Sequence, residues 1–69
     1  MADKKISKIR AMGFYADVLG TFNTKGSDGI VSTEMIADRM MIPVSEATEF
    51  LYACANYGIT ERQGGGWVI

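Results

Sequence analysis

The side chains able to do chemistry are few in this sequence, and their types exclude most of it. There is no histidine, so the commonest general base and the commonest zinc ligand are both missing. The one cysteine, Cys54, has no histidine to activate it and no second cysteine for an internal disulfide. It falls on the apolar side of a helical pattern, where a free thiol behaves as a small hydrophobe. Ser32 and Ser45 each stand at the start of a helical stretch, the place of an N-cap rather than of a nucleophile. Gly64-Gly65-Gly66 opens no helix and has no Lys-Ser/Thr after it, so it is not a phosphate loop. The loop from Asn23 to Gly29 carries one carboxylate, Asp28, too few for a calcium site. The five methionines read as core filler. No enzyme, cofactor or metal is expected. What remains is charge and hydrogen bonding, the means of a binding protein.

That charge is unevenly spread. The formal net charge is −1. Residues 1 to 29 carry Lys4, Lys5, Lys8, Arg10 and Lys25 against Asp3, Asp17 and Asp28, five cations to three carboxylates and so +2. Residues 30 to 69 carry Arg39 and Arg62 against Glu34, Asp38, Glu46, Glu49 and Glu61, two to five and so −3. Affinity for nucleic acid comes largely from cations set against phosphates, so the position of these groups decides what the chain can bind.

A length of 69 residues predicts one domain, 1–69. A domain of this size builds a modest core and is often supported by a partner subunit. At 48% hydrophobic residues the chain is too apolar for disorder. No apolar run reaches membrane-spanning length, and the start, MADKKISKIR, has no signal core. A cytoplasmic protein is expected.

Helical periodicity runs from about Asp3 to Phe22. At about 100° per residue, Phe14, Tyr15, Val18 and Phe22 share one side, and Ile9, Met12, Ala16 and Leu19 extend the same arc to roughly 220°. A narrow face is left for Arg10, Gly13, Asp17, Gly20 and Thr21. So wide an apolar arc predicts that the first helix, within residues 1–22, packs on its own domain with one side and on a second copy with another. Gly13 and Gly20 allow close helix approach, a kink, or an early end at Gly20. After the loop, Ile30-Val31 suits a short strand. Ser32 caps a second helix that runs to about Met41, with Glu34 in its first turn and Ile36, Ala37, Met40 and Met41 on its buried face. Met35 points elsewhere, as a contact candidate. Pro43 stops that helix, and Ser45 caps a third that ends before Gly58. Its core face is Ala47, Phe50, Leu51, Cys54 and Ala55. Its outer face is Glu46, Glu49, Tyr52, Ala53 and Asn56, with Thr48 at the margin. Ile59 to Arg62, then Gln63-Gly64-Gly65, then Gly66 to Ile69 read as a hairpin in which Trp67 and Ile69 close the core.

Helix, short strand, helix, turn, helix and glycine-tipped hairpin is an order that resembles the winged helix-turn-helix family over nearly the whole chain. Ser32, Ile36-Ala37, Met41-Ile42-Pro43-Val44-Ser45, Phe50-Leu51, Tyr57-Gly58-Ile59 and Gly64-Gly65-Gly66-Trp67-Val68-Ile69 carry the resemblance. It implies a mainly α fold of three helices plus a small β-hairpin wing. It also implies that the third helix enters the major groove while the wing touches the backbone or minor groove. The reading positions are then Ser45, Glu46, Thr48, Glu49, Tyr52 and Asn56. The wing positions are Arg62, Gln63 and Gly64 to Gly66. The third helix departs from what DNA asks, having two carboxylates and no cation on its outer face. Lys4, Lys5, Lys8 and Arg10 would supply phosphate contacts if a homodimer through the first helix brings them to the duplex.

Two functions follow. One is a small DNA-binding protein, a dimeric transcriptional regulator. The other is a protein-interaction module whose acidic third-helix face, anchored by Tyr52, binds a basic partner surface.

Overall fold

The computed structural model describes residues 5–24 and 29–69. Its elements are α1 (Lys8–Thr21), β1 (Ile30–Ser32), α2 (Thr33–Met40), α3 (Val44–Asn56), β2 (Arg62–Gln63) and β3 (Gly66–Val68). The chain is mainly helical with one small antiparallel sheet, an arrangement compatible with a winged helix.

Each helix is bounded by local chemistry. α1 begins at Lys8 rather than at Asp3, because the Ser7 hydroxyl accepts the Arg10 amide at 3.2 Å and so caps the helix there. It runs unbroken through Gly13 and Gly20. It ends where Asn23 turns left-handed (φ 56°), with the Thr24 amide bonded back to the Leu19 carbonyl and that of Asn23 to Gly20. α2 is capped by Ser32, whose hydroxyl accepts the Met35 amide at 3.1 Å, and has Glu34 in its first turn and Arg39 in its last, both complementing the helix dipole. It ends at Met41, which is itself left-handed (φ 60°, ψ 45°).

Met41 was expected on the buried face, but it is 88% exposed. The left-handed turn swings its side chain off the helix, while the Ile42 amide returns to the Ala37 carbonyl at 3.0 Å. The start of α3 also differs from expectation. Pro43, not Ser45, is the N-cap, and no side chain bonds there. The Pro43 carbonyl accepts the Glu46 and Ala47 amides, so Ser45 lies inside the first turn. α3 closes as expected, with Gly58 left-handed and the Ile59 amide on the Cys54 carbonyl at 2.8 Å.

The sheet has the order β1-β3-β2. Ile30, Val31 and Ser32 stand opposite Val68, Trp67 and Gly66, and Arg62 and Gln63 stand opposite Trp67 and Gly66. The hairpin turn is the two residues Gly64 and Gly65 (φ 51° and 85°), as a tight turn with two left-handed positions requires. Gln63 therefore belongs to β2 rather than to the turn, and the first strand is shorter than Ile59 to Arg62. Gly66 is needed for a different reason. A β-carbon there would collide with Ile30 Cγ2 and come within 3.0 Å of the Val31 carbonyl oxygen, so β1 and β3 pair closely only because it is glycine.

The core is Ala11, Phe14 and Val18 from α1, Ile36 and Ala37 from α2, Ala47, Leu51 and Cys54 from α3, and Trp67 and Ile69 from the hairpin. Trp67 and Ile69 close it as expected. Ala11 is fully buried although the periodic pattern did not single it out. α1 and α3 run antiparallel, joined by the stacked rings of Phe14 and Phe50 (centroids 4.6 Å apart) and by the Cys54 thiol donating to the Ala11 carbonyl at 3.3 Å. Ile9, Met12 and Ala16 stay on the surface. Gly13 and Gly20 meet no neighbour, so neither serves a helix contact within the chain. Among the described residues, no helix is long and apolar enough to cross a membrane.

Candidate functional site

Packing of Ala47, Leu51 and Cys54 into the core leaves the opposite side of α3 facing outward. Ser45, Glu49, Tyr52 and Asn56 form an exposed ridge along it. The spacing of three and four residues keeps them on one face. Thr48 is set at the edge, its hydroxyl donating to the Val44 carbonyl at 2.8 Å, so it is occupied within its own helix. Glu46 leaves the ridge toward α1, where it lines an open groove with Arg10, Asp17 and Phe50.

The hairpin meets this ridge at one point. The register sets Arg62 across from Trp67, and cross-strand neighbours share a face. The Arg62 guanidinium lies 5.6 Å from the Trp67 ring and 5.5 Å from that of Tyr52, and it donates to the Tyr52 hydroxyl. Tyr52 meets Trp67 edge-on, with centroids 5.2 Å apart. The Trp67 indole N–H donates to the Thr33 hydroxyl at 2.7 Å, so the tryptophan is held by α2, by α3 and by its own strand. A cation over a ring contributes about 0.5–1 kcal/mol at an exposed site, and an edge-on aromatic pair about 0.5–1.5 kcal/mol. The Tyr52–Arg62–Trp67 cluster is thus a fixed joint between ridge and hairpin. Gln63, beyond it, is exposed and donates to the Glu61 carboxylate at 3.3 Å.

The remaining expected contact residues lie elsewhere. The Tyr57 hydroxyl donates to the Ile6 carbonyl at 2.9 Å, which fastens the segment before α1 to the C-terminal end of α3. Lys5 and Lys8 flank that bond in sequence and are exposed. Arg10 turns onto Phe50, 5.5 Å from its centroid. Lys4 lies outside the described residues. The structure therefore brings Ser45, Glu49, Tyr52, Asn56 and Arg62 together, sets Lys5 and Lys8 near one end, and draws Glu46 and Arg10 into the α1 groove.

Trp67, expected only in the core, also carries Arg62. The signal was present in part, since a two-residue turn at Gly64-Gly65 sets 62 opposite 67. Cys54 takes no part in the surface. Burial pushes its thiol from 9.0 up to about 11, which keeps it protonated and unreactive near neutral pH. Among the described residues, no group of three or more His, Cys, Asp or Glu side chains is placed to hold a metal.

The chain matches no protein-family model, no curated protein and no solved structure.

Proposed function

We propose that this chain is a small winged-helix DNA-binding protein, acting as a transcriptional regulator. The observation that carries the reading is the continuity of one face. Ser45, Glu49, Tyr52 and Asn56 project from α3, and the β2–β3 hairpin is fastened along its edge through Arg62. A helix backed by two others and flanked by a hairpin suits the major groove, with the hairpin over the backbone. Three of the four ridge side chains have a base-edge partner available: asparagine suits adenine, glutamate accepts from cytosine N4, and serine serves either. Arg62, Lys5 and Lys8 are the cations disposed to neutralise phosphate.

A mobility-shift titration against mixed genomic fragments at low salt tests this, because low salt is the most permissive condition for phosphate-driven binding. Wild type shifts the fragments, Glu49→Lys shifts them at lower protein concentration, and Arg62→Ala needs more protein. Absence of any shift at low salt ends the reading.

One observation favours a second reading, a protein-interaction module. Arg62 is already stacked on Tyr52 and Trp67, and the ridge carries a carboxylate and no cation. Tyr52 and Arg62, both exposed, are of the types enriched in protein–protein hot spots, and Glu49 would steer them to a basic partner. Pull-down with wild type and with a Tyr52→Ala/Glu49→Lys double variant separates the two. A specific protein partner lost in the variant supports contact, and an unchanged partner list refutes this face.

A further inference from the structure

The side of α1 that faces away from the core is not built like a solvated helix face. Ala11, Phe14 and Val18 turn inward. At about 100° per residue the opposite side carries Ile9, Gly13, Ala16 and Gly20, all exposed. A surface helix ordinarily sets charged and polar residues there. These positions advance by four, three and four residues, the spacing of a coiled-coil seam. Ile9 is 82% exposed, and Met12, beside the seam, is 51% exposed. Glycine at 13 and 20 costs helix propensity. A β-carbon at either would meet nothing within 4 Å, so the packing of this chain does not require them. Beside Gly13 an open groove of about 460 Å³ is edged by Arg10 and Asp17 of α1 and by Glu46 of α3. A second depression of similar volume continues past Gly20.

We infer that this face of α1 docks on the same face of a second copy of the chain, antiparallel, across a twofold axis close to Gly13. A second copy is the occupant because the face is complementary to itself in both shape and charge. Let Arg10 of one helix stand level with Asp17 of the other. Ile9 then falls between Ala16 and Gly20 of the second copy, and Met12 falls between Gly13 and Ala16. Each bulky side chain meets small residues, so the glycines admit the knobs and let the helices approach closely. Arg10 and Asp17 lie on the same flank of the seam, seven residues apart, and an antiparallel pair brings like flanks together. Arg10 of each copy thus faces Asp17 of the other, and the twofold axis makes two such pairs. A parallel pair would set Ile9 against Ile9 and glycine against glycine, a clash beside a void. α1 has 14 residues and is about 21 Å long, so the area it can bury falls short of the ~800 Å² per partner of a standard interface. The dimer is accordingly weak and depends on concentration.

Sedimentation equilibrium from about 10 µM to 1 mM chain, reaching past the micromolar range where ordinary interfaces begin, should show a monomer–dimer equilibrium. Ala16→Glu should leave a monomer with an unchanged circular dichroism spectrum, since Ala16 is exposed. Arg10→Asp and Asp17→Arg should each weaken the dimer about tenfold through like-charge pairs, and an equimolar mixture of the two should associate as heterodimers. In a Cys54→Ala background, Gly13→Cys should form an intermolecular disulfide on mild oxidation and Ile9→Cys should not. Copies of residue 13 are offset by about 1.5 Å along the helices, and copies of residue 9 by about 14 Å, beyond disulfide reach. A monomer at 1 mM overturns the inference. So does a dimer that survives Ala16→Glu, or equal crosslinking through positions 9 and 13. None of these readouts involves DNA, so the dimer stands or falls apart from the proposed function.

Discussion

Replacing Met41 with glycine should make this protein more stable. Met41 closes α2 in the left-handed region (φ 60°, ψ 45°), where the β-carbon of an L-residue crowds its own carbonyl at a cost of about 1–2 kcal/mol. Nothing offsets that cost through packing, since the side chain is 88% exposed. The hydrogen bonds that shape the turn run from the Met41 amide to Asp38 and from the Ile42 amide to Ala37. Both use backbone atoms that glycine keeps. Glycine loses more chain entropy on folding, about 0.5–1 kcal/mol relative to alanine. The net gain for Met41→Gly is therefore about 0.5–1 kcal/mol. For a domain of this length that raises the midpoint of thermal unfolding by about 2–8 °C. Thermal and urea unfolding followed by circular dichroism measure it, with Met41→Ala as control. Alanine keeps the β-carbon and removes only exposed atoms, so it should stay within about 0.5 kcal/mol of wild type. Equal or lower stability of Met41→Gly would refute the reasoning, because it would mean either that residue 41 is not left-handed or that its side chain is held by something. If Met41 serves a partner, the glycine variant gains stability and loses that partner, and the two readouts part.

The other expectations rest on single contacts. Gly66→Ala should lower stability by about 1–3 kcal/mol, read by urea unfolding, because the new methyl must push Ile30 and the Val31 carbonyl aside. Trp67→Phe keeps an aromatic ring in the core but leaves the Thr33 hydroxyl without its indole donor, a loss of about 1 kcal/mol on top of the cost of the cavity the smaller ring leaves; urea unfolding reads the sum. Cys54 carries a pH dependence whose sign follows from its raised folded value. The neutral thiol is favoured in the fold, so the contribution is fully present below pH 9 and is lost as pH rises from there through about 11. The stability difference between wild type and Cys54→Ala should therefore move against wild type by up to about 3 kcal/mol over that window. A difference that stays flat would refute it.

Signals confined to a few residues could be read from the sequence. Gly58 ends α3 because a left-handed residue is needed there and glycine supplies it. Ser32 caps α2 through one amide three residues on. Where two local signals compete, periodicity misleads. The sequence gives no break in the helical pattern between Asp3 and Lys8, but Ser7 takes the Arg10 amide and starts α1 later. Ser45 looks like a cap, yet the proline two residues before it already provides the first carbonyl of α3. Met41 fits the helical spacing of a core residue, and no composition rule announces a methionine in a left-handed turn. The outward ridge of α3 was readable from the same periodicity that buries Leu51 and Cys54. The partner of Arg62 was not, because it depends on strand register. Register depends in turn on whether the turn takes two residues or three, and one residue of slip would set Arg62 on the other face.

All three arginines of the sequence lie over aromatic rings, each at a seam between elements. Arg10 covers Phe50 where α1 meets α3, Arg39 covers Phe22 where α2 meets the end of α1, and Arg62 covers Tyr52 and Trp67 where α3 meets the hairpin. A stacked guanidinium keeps its N–H edge available for a phosphate or carboxylate while its plane is held, so less side-chain freedom is lost on binding than for a free lysine. The same stacking makes each arginine a structural residue, and an alanine substitution removes packing and charge together. Binding data on Arg62→Ala therefore mean little until they are set beside Arg62→Lys. Lysine keeps the charge and loses the planar stack. If α3 and the hairpin bind through charge alone, lysine retains most of the affinity and the salt dependence. If they bind through the positioned Tyr52–Arg62 pair, lysine behaves like alanine, and the ridge acts as one joined surface with Arg62 fastening it to the hairpin.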